Sequence, residues 1–313
     1  MSYTRNTTLK GPAILKLGTA TMRSQGDINC ELSAETYEIQ SSEKGRIDER
    51  IAQARIRLTF TPVGSVDAAM LAALFPHLGK VAGQSLIGAT DTPLTITPLT
   101  GKGELKLVNA VVTKMPDIIL SAQKTAFGEV EITGLLANGA EWSAAAARYV
   151  YAPSVATPTP GDFDLSAIPT LGCEINWGAA PFNKISSKEG VTVSFELQTQ
   201  EETTDIDGVV DLWFSGLQTA ATFEPLGLTD EQILNRLKIQ GAGARRGASL
   251  ATGADDLILT TAAGGLKVTL PKAYLKEAPL RYGRETSRVG QIQLIAGLGA
   301  TPTVSILPPA VGG

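Results

Sequence analysis

The chain is written twice, and that duplication limits what it can fold into. TFTPVG at Thr59–Gly64 returns as TFEPLG at Thr222–Gly227, 163 positions later. Ile28–Thr36 matches Val191–Thr199, and Gly45 matches Gly208. Further on, Pro93–Thr97 matches Asp256–Thr260, Leu105–Leu107 matches Leu266–Val268, Lys114 matches Lys276, and Phe127–Ala140 matches Val289–Ala300. A solenoid unit runs to roughly 20–50 residues; each half here is about 150, the size of a domain with its own core. The sequence therefore predicts one domain copy at residues 1–151 with a polar N-terminal arm, a Pro/Thr linker at 152–164, and a second copy at 165–313. Two copies in one chain suit a protein that works in rings, because fusing neighbours halves the subunit number and keeps the geometry.

Each half reads as mainly β. A short apolar strand opens each copy, at Ala13–Gly18 and Glu174–Gly178. A long alternating strand follows, with Ile28, Cys30, Leu32 and Ala34 on one side and Asn29, Glu31, Ser33 and Glu35 on the other. In copy two, Val191, Val193, Phe195 and Leu197 oppose Thr192, Ser194, Glu196 and Gln198. Period two with one apolar side marks a half-buried antiparallel strand. After a polar tip the chain returns, with Ile56, Leu58 and Phe60 facing in and Arg55, Arg57 and Thr59 facing out. The result is a long hairpin with a sizeable flexible tip. A short helix comes next, capped by Ser65 in copy one and by Thr229 in copy two. Further strands are expected at Leu94–Thr97, Leu105–Thr113, Ile118–Lys124 and Val130–Leu136, and at Leu257–Thr260, Leu266–Leu270, Ala273–Lys276 and Gln291–Ala296. The fold class is two tandem copies of a β-sandwich or open barrel, each with one flanking helix and a long β-hairpin.

Composition narrows the function. A net charge of −4 supplies no basic field for holding nucleic acid. Cys30 and Cys173 form no CxxC pattern and sit at non-equivalent points of the repeat, and Cys30 lies on the apolar side of its strand, which predicts a buried free thiol there and a reducing compartment. The opening MSYTRNTTLKG lacks the apolar core of a secretory leader, and no run approaches the roughly 20 apolar residues of a membrane span. The expected setting is a cytoplasm. The single histidine, His77, has no counterpart in copy two and serves neither a shared triad nor a multi-histidine metal site; a surface or helix-end role is expected. Gly241–Gly253 is glycine-rich and basic but lacks the ending of a phosphate loop, and reads as a flexible loop. Trp142, Trp177 and Trp213 fall at non-equivalent positions and define no duplicated pocket. No nucleophile, paired carboxylate or metal motif recurs in both halves, so no catalytic residue, metal or cofactor is expected.

Ile28–Gly64 with its counterpart Val191–Gly227, and the strand endings at Gly128–Gly139 and Gly290–Gly299, resemble the major tail tube protein of long-tailed bacteriophages. The likeness covers nearly the whole chain and rests on architecture, with no diagnostic short motif. It implies six domains per ring, inner hairpins closing into one β-barrel, and rings stacking into a tube. That tube first surrounds a tape-measure protein and later passes DNA non-specifically. A two-domain chain would complete the ring as a trimer with pseudo-sixfold symmetry. Other implied partners are a tail terminator and baseplate or initiator proteins. The place of action would be the virion tail, after assembly in the host bacterial cytoplasm. Under the resemblance Glu31, Glu35, Arg55, Arg57, Glu196 and Gln198 line the lumen. The tips at Gln40–Asp48 and Glu201–Asp211 reach the next ring, with Ser41, Glu43, Lys44, Asp205 and Asp207 as contact residues that order on stacking. The alternatives are a tail terminator or distal-tail ring protein, and, in a different class, a two-domain β-sandwich that binds a ligand.

Overall fold

The computed structural model describes residues 12–63, 66–121, 127–141, 148–158, 172–204, 207–237, 246–261, 265–280, 289–297 and 299–306, with the backbone alone at 52 and 53. It is mainly β, and every strand pairing it shows is antiparallel. In the first half one sheet runs β11 (Tyr149–Ala152), β7 (Glu104–Leu107), β6 (Leu94–Pro98), β1 (Ala13–Leu17), β2 (Ala20–Ser24) and β5 (Pro62–Val63). A second runs β3 (Asn29–Ser41), β4 (Gly45–Phe60), β10 (Val130–Leu135) and β8 (Asn109–Lys114). In the second half the matching sheets are β19 (Thr303–Ile306), β16 (Leu266–Leu270), β15 (Leu257–Thr261) and β12 (Cys173–Asn176), then β13 (Ser186–Thr204), β14 (Gly208–Leu226), β18 (Ile292–Ile295) and β17 (Tyr274–Glu277). The strand order recurs, except that β2 and β5 have no counterpart among the described residues of the second half. One strand crosses over: β9 (Ile118–Leu120) leaves the first half and extends the outer edge of β13.

The four sheets stand around one another like four propeller blades. They do not separate cleanly into two sandwiches, because one core cluster takes side chains from both halves, from Leu15, Leu58 and Ile132 to Val193, Phe223 and Leu294. A smaller cluster of Leu86, Val111, Leu135, Val209, Leu212 and Phe214 lies between the first half and the outer part of the second hairpin. Strand β8 is buried on both sides for that reason: Ala110 and Val112 face the main core and Val111 the smaller one. The continuous run expected at Leu105–Thr113 is broken at Val108, where the chain passes from one sheet of the first half to the other. At this corner the buried Asn109 side chain donates from Nδ2 to the Leu136 carbonyl, 3.1 Å away.

Ile56, Leu58 and Phe60 on β4 are buried as their alternation requires. Strand β3 departs from its pattern. Leu32 is 53% exposed and Ala34 is exposed, because β3 is the edge of its sheet and nothing among the described residues covers it. The buried-thiol expectation is met in part, since Cys30 and Cys173 are free and half-buried.

Among the described residues, two short helices flank the sheets, α1 (Ala68–Leu74) and α2 (Asp230–Arg236). The expected cap of α1, Ser65, falls outside the described residues. The cap is Asp67, whose extended backbone lets Oδ1 accept from the Met70 N–H at 2.7 Å. Helix α2 starts as expected at Thr229, with a reciprocal capping box: Thr229 Oγ1 accepts from the Gln232 N–H and Gln232 Oε1 from the Thr229 N–H. Asp230 and Glu231 sit at the positive end of that helix. Asp67→Ala should lower unfolding stability by about 1 kcal/mol in a urea titration, and Thr229→Ala by a similar amount; an unchanged midpoint would show that the caps contribute nothing.

Candidate functional site

The hairpins β3–β4 and β13–β14 end in the same turn. In the first, Ser41 pairs with Gly45, Ser41 Oγ accepts from the Lys44 N–H at 3.1 Å, and Gly45 takes a left-handed φ of 68°. In the second, Thr204 pairs with Gly208, Thr204 Oγ1 accepts from the Asp207 N–H at 2.9 Å, and Gly208 has φ 69°. A short hairpin turn closing on a left-handed residue selects glycine there. The expected flexible tips are therefore corrected. Most of Gln40–Asp48 is paired strand, leaving a turn of Ser42, Glu43 and Lys44. Polar side chains on both faces do not prevent backbone pairing, and the ribbon carries charge pairs of its own, Arg46 with Glu38 and Glu49, and Arg50 with Asp48. Asp205 lies outside the described residues.

Four of the lumen candidates, Glu31, Glu35, Arg55 and Arg57, form a charged face on the first hairpin. Glu31 stands opposite Arg57 and Ser33 opposite Arg55. The partner of Arg57 is nevertheless Glu131 on β10, through Nη2 and Oε2. That hydrogen bond and the Glu131 charge hold the guanidinium pKa above its ordinary value, with smaller help from Glu31 and Glu129. Glu131 is fixed in turn by Thr113, whose Oγ1 donates to Oε1 at 3.1 Å. Arg55 reaches across to the second half. Its Nη1 and Nη2 donate to the two carboxylate oxygens of Glu201 at 3.2 Å each, and its Nε lies 2.9 Å from Glu35 Oε1 without hydrogen-bond alignment. Glu196 faces Gln218 and Gln198 faces Gly216, with Glu196 and Gln198 both exposed. Both arginines of this face are thus matched by carboxylates, and Glu31 adds further negative charge. Exposed pairs of this kind contribute roughly 0–1 kcal/mol each, so their role lies in setting the surface potential.

Sequence reasoning missed Glu131 and Glu201. Glu131 was legible once β10 is laid beside β4, because Thr133 pairs with Arg57 and Glu131 with Thr59, on one face. Glu201 carried no signal, since its meeting with Arg55 depends on how the halves sit together. The same seam holds further contacts. Arg148 donates to the Asp207 carbonyl at 2.9 Å, and Ser85 Oγ donates to Asp211 Oδ1 at 2.7 Å. The Gly83 N–H donates to the Phe214 carbonyl, the Phe214 N–H to the Gln84 carbonyl, and the Leu86 N–H to the Leu212 carbonyl. Glu31, Arg55, Arg57, Glu131, Arg148 and Glu201 line a cleft of about 430 Å³ along this seam. Its charged wall differs from the predominantly apolar lining of small-molecule pockets.

The remaining sequence candidates fall into structural roles. Trp177 is buried and donates to the Ala273 carbonyl at 3.0 Å, Trp213 donates to Glu202, and Trp142 lies outside the described residues. Only the end of the Gly241–Gly253 segment is described, as turns. Among the described residues, no group of His, Cys, Asp and Glu side chains is arranged to hold a metal ion, and no helix is long and apolar enough to cross a membrane. A comparison with models of known protein families and with curated protein sequences finds no match to this chain.

For His77 the helix-end half of the expectation holds and the surface half is corrected. It follows α1 but is only 2% exposed. Its Nε2 lies 2.8 Å from the Val112 carbonyl, which only accepts, so the proton sits on Nε2; Nδ1 is buried without a partner. Burial pushes the imidazole pKa down to about 4, outweighing the Val112 hydrogen bond. The unfolded chain takes up this proton near pH 6.5 and the folded chain only near 4, so stability is full above pH 6.5 and falls as pH drops through that window. At ~1.4 kcal/mol per unit the loss is on the order of 3 kcal/mol. His77→Gln should lower stability at pH 7 yet flatten the decline between pH 6.5 and 4.5 in denaturant titrations; parallel curves for the two proteins would remove His77 as its source.

Proposed function

We propose that this chain is a structural protein of a phage tail, the subunit of the tail tube. In this reading each half is one tail-tube-like sandwich domain, three chains close a pseudo-hexameric ring, and rings stack into the conduit through which DNA passes to the host. The tape-measure protein fills the bore during assembly, and a terminator and a baseplate or initiator complex bound the ends. The protein does no chemistry and needs no cofactor. It is assembled in the host cytoplasm and acts in the virion.

The observation that carries the reading is the strand that the first half lends to the hairpin sheet of the second. Strand β9 of the first half extends the sheet of the second, so two copies of one fold lie side by side as neighbours, related head to tail. A ring is built from such heterologous contacts when the rotation closes. Closing the hairpins into a barrel would also remove the open edge of β3. The exposed face with its matched charges suits a wall along which a polyanion must slide, because a basic wall would hold it.

Negative-stain electron microscopy of the purified protein over a range of concentrations tests the proposal. Tubes, or stacked rings with a central hole and three chains per ring, are expected. Single rings that never stack would move the assignment to a terminator or distal-tail protein, and dispersed two-lobed particles with a soluble ligand would move it to a binding module. Glu31→Lys combined with Glu35→Lys should leave folding within about 0.5 kcal/mol of wild type, since both side chains are exposed. The same substitutions should impair DNA passage in a release assay.

A further inference from the structure

The two halves carry matching surfaces, one covered and one bare. On the second half, the edge of β13 receives β9, with Val193 opposite Ile118 and Val191 opposite Leu120. Phe195 is 4% exposed, its ring centroid 5.1 Å from that of Phe75 at the C-terminal end of α1. Phe214 is 6% exposed, bonded through its backbone to Gly83 and Gln84. The repeat sets Ile28, Cys30, Leu32 and Ile51 where the second half has Val191, Val193, Phe195 and Phe214. The strand registers agree, since Thr36 pairs with Ile51 as Thr199 pairs with Phe214. Yet Leu32 is 53% and Ile51 61% exposed, and the outer edge of β3 has no neighbouring strand among the described residues. A long open edge with apolar side chains is a template for strand addition.

The covering surface recurs as well. The bridge between Ile118 and Phe127 returns as the bridge between Leu280 and Val289. Phe75, which ends α1, returns as Leu237, which ends α2. Ile118 is fully buried beneath the second half, whereas Leu280 remains partly exposed. Among the described residues the chain thus has an unfilled acceptor on its first half and an unused donor on its second.

We infer that a second copy of this chain docks on the outer edge of β3, setting its Leu280 opposite Cys30 and its Leu237 against Leu32, as β9 and Phe75 meet the second half within one chain. The inference rests on the tail-tube reading for its reason to assemble, and it names the seam. The contact is heterologous, so a pair of chains leaves one acceptor and one donor free, and growth continues until a ring closes. The seam between chains is more polar than the seam within one. Val209 and Leu212 have Arg46 and Glu49 as counterparts, and these two pair with each other on the exposed ribbon. A polar margin around the apolar Leu32 and Ile51 fits a contact between chains that fold separately.

Leu280→Cys tests the register, in a chain that keeps Cys30 and carries Cys173→Ser. Directly opposed residues of antiparallel strands have Cα atoms about 4.5–5.5 Å apart, within the range a disulfide spans. Mild oxidation of the assembled protein should give chains linked through Cys30 and the introduced thiol, seen on a non-reducing gel and lost when Cys30→Ser is added. Leu32→Asp should leave the circular dichroism spectrum and Tm of the single chain unchanged. It should also raise the concentration needed for assembly at least tenfold by sedimentation. If wild type forms rings or tubes, but no cross-link appears and Leu32→Asp assembles at the wild-type concentration, this seam is wrong while the tail-tube reading stands. If wild type stays a single chain at every concentration, by sedimentation and by microscopy, both are overturned.

Discussion

Backbone hydrogen bonding along the rims of two very long hairpins is the constraint on which the rest of this structure depends. A strand as long as β13 presents a row of N–H and C=O groups on its free side, and apolar side chains such as Val191, Val193 and Phe195 beside them. Within one chain Ile118–Leu120 of the other half cover the Val191–Val193 part of that rim. Once β9 is in place, the Phe75–Phe195 contact and the second cluster around Phe214 follow, because the pairing brings α1 and the Gly83–Leu86 segment against the hairpin. The two halves therefore share a core, and removing one would uncover the other.

The charged face illustrates a different balance. Arg55 and Arg57 are placed by the register of β4, but their partners come from three separate strands, with Glu35 on β3, Glu131 on β10 and Glu201 on β13. Each pair is too exposed to stabilise the fold strongly. Their joint effect is to cancel two cations on a surface that would otherwise attract phosphate, while leaving Glu31 free to tilt the balance toward negative. Stability comes instead from the buried alternations of β4, β13, β14 and β16, and a buried neutral imidazole at His77 makes part of it sensitive to acid.

The patterns legible in the sequence were those that a strand or helix makes with itself. Period-two alternation located the hairpins, and the matching glycines Gly45 and Gly208 located their turns, because those positions need a left-handed backbone. Thr229 announced the start of α2. Expectations failed where an outcome depended on a neighbour. Leu32 and its counterpart Phe195 both stand on the apolar side of their strands, yet among the described residues Phe195 is buried and Leu32 is 53% exposed. Ser65 looked able to start α1, whereas the extended backbone at Asp67 makes Asp67 the cap. The polar tips read as loops because their side chains avoid a core, although the backbone pairs along them regardless.

By itself, then, the amino-acid sequence determined that the chain is mainly β, that one strand plan is used twice, and where its long hairpins turn. These properties are local or periodic, set by side-chain alternation and by backbone angles that few residues adopt. Only the tertiary structure decided that β9 crosses to the other half, that Arg55 finds Glu201, and that His77 is buried. Each of these joins residues far apart in the chain, and each depends on how sheets pack and on which rims remain open, which no repeat or periodicity records.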